Sequence, residues 1–260
     1  MNVEAVLDLL RALVLVFILL STSRFIGREK FTVRIVFFTL AAACILLCDL
    51  YWLAYDILLP EVRMPFAANE IGECALFLLL GAALNSGKPL RFREAKREML
   101  CAAWFSATNT ALWIAWSGEW VQDILTGLAF AYFLCALVSQ IKAEELHSVS
   151  RLRVLGILCV FPILVQTAAF FVPGSIQRAL YLLCYIFLFA VLLYLLVKAI
   201  RAVRKDADPT RGVCDTFTAF AWVMVTMYMS DGVFHAAAYG LSAICFPLMF
   251  LTLKKEVEAL

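Results

Sequence analysis

The sequence predicts an all-α protein: a polytopic membrane helix bundle of about nine transmembrane helices, seven plus a C-terminal hairpin, in a single integral membrane domain over residues 1–260. Three observations predict it. Of the 260 residues 64% are hydrophobic and 16% charged, where soluble domains average roughly 25% charged. Apolar runs of about 20 residues, the length that crosses a bilayer, recur between charged or Pro/Gly breaks. Only helices and closed barrels satisfy their backbone in lipid, and runs without strict alternation favour helices.

The first run, 6–27, carries Asp8 and Arg11. It has acids rather than bases before it and Arg24, Arg28 and Lys30 after it, so it is expected to remain as a span and not to be cleaved as a signal. The second, 31–59, turns polar at Asp49, Trp52 and Asp56, and the third, 66–85, opens polar at Asn69, Glu70 and Glu73. Only the short segment from Pro60 to Pro65 joins them, which makes them antiparallel neighbours. The fourth run, 99–117, holds Ser106, Thr108, Asn109 and Thr110, and the fifth, 120–141, ends at Lys142. Pro162 and Gln166 fall in the sixth, 154–172, while the seventh, 177–200, leads into Arg201, Arg204 and Lys205. Ser230-Asp231-Gly232 is expected to form a tight turn between the eighth, 214–231, and the ninth, 234–253. Pro247 lies in the ninth, and Lys254 and Lys255 follow it.

Basic residues beside a span resist translocation, and they divide unevenly between alternate loops. Nineteen of the 22 fall on one side, leaving Arg11, Arg63 and Arg178 on the other. That split predicts an N-terminus outside, a C-terminus in the cytoplasm, an odd number of crossings, and a multi-pass protein of the cell membrane. A net charge of +2, with the bases in short loops beside spans, argues against a nucleic-acid partner. Eight of the nine cysteines, Cys44, Cys48, Cys74, Cys101, Cys135, Cys159, Cys184 and Cys245, sit in apolar runs without a CxxC or a neighbouring histidine, so they read as small buried hydrophobes, with no metal and no cofactor expected.

An ionisable group inside the hydrocarbon costs at least about 2.5 to 3.5 kcal/mol, so membrane helices keep such groups mainly where they face a cavity or a partner. At about 100° per residue, Asp49, Trp52 and Asp56 share one face of their helix, and Asn69, Glu70 and Glu73 share one face of the next. The four carboxylates are expected to converge in the outer half of the bilayer, where like charges cannot all ionise and a proton or cation neutralises at least one. Arg63 in the loop and Arg11 in the first helix are the candidate fixed partners. Asn109, Gln166, Asp231 and His235 are expected at comparable depth, completing a polar pocket open to the outside.

Clustered titratable acids at such depth are the usual means of coupling solute movement to an ion gradient. The leading expectation is therefore a proton- or cation-coupled transporter or small-solute-binding membrane protein, with a small polar solute and a proton or small cation as partners. Asp49→Asn and Glu73→Gln are expected to abolish activity with near-normal expression. A second reading is a sensor that passes an extracellular signal to a separate cytoplasmic protein. The third is an intramembrane aspartyl-type hydrolase: Tyr55-Asp56 matches the Tyr-Asp pair of such enzymes, but Ser230-Asp231-Gly232 stands where they have Gly-x-Gly-Asp and Phe246-Pro247-Leu248 where they have Pro-Ala-Leu.

Overall fold

A computed structural model describes residues 3–26, 32–58, 68–87, 93–118, 120–144, 150–204 and 208–259. Those residues form nine α-helices and no strand: α1 (Val3–Ile26), α2 (Val33–Leu58), α3 (Ala68–Gly87), α4 (Lys96–Ser117), α5 (Trp120–Glu144), α6 (Ser150–Phe171), α7 (Ser175–Val203), α8 (Pro209–Met229) and α9 (Gly232–Ala259). Eight of them are long and apolar enough to cross a membrane, as a multi-pass protein requires. The exception is α4, whose Ser106, Thr108, Asn109 and Thr110 dilute its hydropathy.

Two helices extend well past the spans expected from apolarity. α8 starts at Pro209, five residues ahead of the expected 214, because Asp208 caps it by accepting from Thr210 N at 3.1 Å and proline is preorganised for the first helical turn. α9 continues through Lys254 and Lys255 to Ala259. Its last turns have partners: Glu256 pairs with Arg34 of α2, and Lys255 Nζ donates to the carbonyls of Val203 and Arg204 at the end of α7. Lysine neutralising the carbonyl end of another helix is favourable there. Ser230 and Asp231 alone separate α8 from α9, so the C-terminal region is two full helices in a hairpin.

Side-chain pairs fix the relative directions. Asp8 meets Tyr239 and Arg11 meets Ser242, a constant offset that makes α1 and α9 parallel. Cys74 meets Thr126 and Gln140 reaches Leu84 O, which makes α3 and α5 parallel in the same way. Arg34 reaches Ala83 O while Gly72 faces Cys48, so α2 and α3 are antiparallel. α7 and α8 are antiparallel too, through Trp222 Nε1 to Leu188 O at 2.9 Å and Lys198 to Asp215 at 3.1 Å. Odd-numbered helices run one way and even-numbered ones the other, which leaves the described ends of the chain at opposite ends of the bundle.

The most enclosed element is α8, wedged among α5, α7 and α9. Phe220 on it stacks edge-on to Phe133 of α5 at 6.2 Å and to Phe246 of α9 at 5.4 Å. In lipid, helices associate through close packing and interhelical hydrogen bonds more than through the hydrophobic effect. Thr216 and Thr252, both buried and 3.0 Å apart between α8 and α9, are one such bond. Close packing also sets the α2–α3 contact. A Cβ on Gly72 would stand 2.2 Å from Cys48 Sγ and 3.2 Å from the Cys44 carbonyl. Gly72→Val is expected to force the two helices apart at the cost of overpacking, about 1 to 3 kcal/mol, measured as a lowered melting temperature of the purified protein.

Candidate functional site

The polar interior gathers in the half of the bundle that holds the starts of the odd-numbered helices. Asp49 lies about 14 Å back from the end of α2, and Arg11 about 12 Å into α1. The Arg11 guanidinium grips Asp49 in the two-pronged manner that its planar fork allows, through Nε to Oδ2 at 2.8 Å and through Nη2 to Oδ1. A third prong reaches Ser242 Oγ at 3.3 Å, and the guanidinium carbon sits 3.8 Å over the Tyr239 ring. Tyr239 donates its hydroxyl to Asp8 Oδ1 and lies 3.4 Å from Asp49 Oδ1. Asp8, Arg11 and Asp49 are all buried, Asp49 completely. One guanidinium against two carboxylates leaves this closed cluster of α1, α2 and α9 one formal negative charge.

Glu73, half-buried on α3, faces α8, where Tyr228 donates its hydroxyl to Glu73 Oε2 at 3.1 Å. Arg11, Glu70 and Asp49 lie within electrostatic range of Glu73. Tyr228 also walls a cavity of about 210 Å³ that opens between α4, α6, α7 and α8. Its polar lining is Asn109, Gln166, Ser230 and Asp231, and its aromatic lining is Trp113, Phe170, Tyr181, Tyr185 and Tyr228. Trp113 and Tyr228 pack at a tilt, with ring centres 4.0 Å apart and planes inclined at 50°. Gln166 is held in place by donating to Met229 O at 2.6 Å, on the last turn of α8. Asp231 accepts from Gly232 N at 2.6 Å, which fixes it at the mouth where α9 begins. At a liquid-water share of about 30 Å³ per molecule, the space is that of about seven waters or one small solute.

The expected site residues thus separate into two places. Arg11 and Asp49 belong to the closed cluster; Asn109, Gln166 and Asp231 line the cavity; Glu73 stands behind the cavity wall. Glu70 instead borders a second, largely apolar groove of about 360 Å³ between α3 and α5, with Cys74, Leu78 and Leu125. Trp52 packs in an aromatic group with Tyr51 and Tyr55 at the end of α2. His235 is exposed, with Nδ1 2.8 Å from Met227 O, and takes no part in either place. The side chains of Asp56 and Asn69 lie outside the described residues. All nine cysteines are free thiols.

Sequence reasoning missed the tyrosines. Tyr228 and Tyr239 complete the two polar sites, and Tyr181 with Tyr185 build the cavity wall, yet each reads in sequence as one more aromatic of a membrane helix. Their signal is the hydroxyl: a buried Tyr in a span needs a partner for its O–H. Tyr228 lies three residues before Asp231, and Tyr239 four after His235, inside the segment where polar residues were already expected.

The other end of the bundle is basic and pinned by ion pairs. Arg34 joins Glu256 and the Ala83 carbonyl, so that α2, α3 and α9 meet at one guanidinium. Lys198 pairs with Asp215, and Lys142 with Glu98 at 2.6 Å. That last bond, at the start of α4, holds the Glu98 carboxyl below its ordinary range. Among the described residues no group of three or more His, Cys, Asp or Glu side chains could hold a metal ion. No known protein family, curated protein or solved structure matches this chain.

Proposed function

We propose that this chain is a multi-pass protein of the cell membrane, N-terminus outside, which takes a small polar solute from the outer side into the cavity between α4, α6, α7 and α8 and couples its movement to a proton on Glu73. The observation that carries the reading is Tyr228, one residue that walls the cavity and hydrogen-bonds the Glu73 carboxylate. A solute pressing on that ring and a proton arriving on that carboxylate act on a shared hydrogen bond, which is what coupling needs. Orientation is supported by the basic, ion-paired end opposite the cavity, since basic residues favour the cytoplasmic side.

The test is uptake of labelled small polar solutes into liposomes that hold only this protein, with and without an inward proton gradient. Accumulation that grows with the gradient supports the reading. Binding without any uptake, across a broad panel of solutes, would replace it with a sensor that reports occupancy to a separate cytoplasmic protein.

A further inference from the structure

Trp113, Tyr181, Tyr185 and Tyr228 present four aromatic rings to one small space, and Asp231 at its mouth supplies a carboxylate. Asp231 and Tyr185 are both lining residues of this cavity, so the acid and the rings border the same volume. Not one Lys, Arg or His is among the described residues that line it. Aromatic faces carry negative quadrupole charge and attract ammonium groups, most strongly where water is excluded, whereas they offer nothing to an anion. Gln166, its amide nitrogen committed to Met229 O, has its oxygen left as an acceptor for an N–H or O–H.

Building on the solute-binding reading above, we infer that the ligand is a small organic ammonium ion, its cationic head enclosed by the Trp113, Tyr181, Tyr185 and Tyr228 rings and its charge balanced by Asp231. The volume of about 210 Å³ suits a head group with a short tail and is below the roughly 300 Å³ at which pockets for drug-sized ligands begin.

The experiment is thermal unfolding of the full chain in lipid nanodiscs, titrated with choline, with tetramethylammonium, and with 3,3-dimethylbutanol, which has the shape of choline without its charge. Both cations are expected to raise the melting temperature in a saturable way, and the neutral alcohol to leave it unchanged. Asp231→Asn keeps an oxygen to accept from Gly232 N, and Trp113→Leu removes one ring of the cage; each is expected to weaken cation binding about tenfold or more while the unliganded protein still melts cooperatively. If the neutral alcohol binds as tightly as choline, the ammonium assignment falls and the solute-binding reading stands. If the cations bind and neither substitution weakens them, the assignment to this cavity falls. If a panel of cationic, neutral and anionic solutes leaves the melting temperature unmoved, both fall together.

Discussion

Replacement of Arg11 by methionine is expected to destabilise the protein more than any other single change in the polar half of the bundle, by about 3 to 5 kcal/mol, because it leaves the completely buried Asp49 carboxylate without its ion-pair partner. Asp49 would lose both prongs of its partner, and Asp8 a cation within electrostatic range. Asp49→Asn should do less harm. The guanidinium keeps Asp8 within electrostatic range, Ser242 at one prong and the Tyr239 ring beneath it, and the asparagine oxygen still accepts one bond. The double variant Arg11→Met with Asp49→Leu removes the pair together and is expected to recover part of the loss, as replacements of buried ion pairs by apolar side chains often do. Melting curves and the yield of monodisperse protein in detergent check the order: double variant and Asp49→Asn above Arg11→Met, all below wild type. Equal melting temperatures for Arg11→Met and wild type would mean that the cluster contributes nothing to the fold.

That ranking departs from the expectation that Asp49→Asn spares expression, and the departure shows how much of the site is legible in sequence. The nine helices are legible because apolar run length is a local property, and each run needs only itself to declare its span. Spacing along each helix is legible for the same reason, because rise per residue is fixed. Which polar face meets which is decided by the order in which nine helices surround one another, and that is not local. The short connection between α2 and α3 suggests that Asp49 should face Glu73, and both are within electrostatic range of each other. Helix α9, almost two hundred residues later, nonetheless runs parallel beside α1 and brings Tyr239 and Ser242 to Arg11, so the guanidinium and Asp49 are enclosed in a cluster apart from the cavity. The cavity in turn is built by α4, α6, α7 and α8, none of which carries a membrane-embedded acid conspicuous enough to reveal it. Helix ends were legible only as far as apolarity reached. Beyond it, Asp208 capping α8 and the Lys255 and Glu256 bonds extending α9 are tertiary and capping events that hydropathy does not carry.

Where the sequence alone leads to the expectation that Glu73→Gln abolishes activity, its place behind the cavity wall changes the expected result: the variant leaves binding and stability nearly as they are while freeing solute uptake from the proton gradient. The amide is close to the carboxylic acid in size and its oxygen still accepts from the Tyr228 hydroxyl, so the wall of the cavity keeps its shape. What it loses is the ability to gain and release a proton. One proton moved with each solute across a one-unit pH difference is worth about 1.4 kcal/mol, enough to sustain about tenfold accumulation with the membrane potential clamped at zero. Wild-type liposomes should approach that ratio and the variant should stop at equality. The sign follows from the orientation: acidifying the outside raises wild-type uptake, and the variant's uptake stays level. Tyr228→Phe separates coupling from binding, because it keeps the ring that lines the cavity and removes the hydroxyl that reaches Glu73. It should retain a solute affinity within about threefold of wild type, a loss of no more than about 0.7 kcal/mol, while accumulation falls toward equality. If Tyr228→Phe accumulates solute as wild type does while Glu73→Gln does not, the proton reaches the solute by a path that bypasses this hydroxyl, and the shared hydrogen bond is no longer the coupling element.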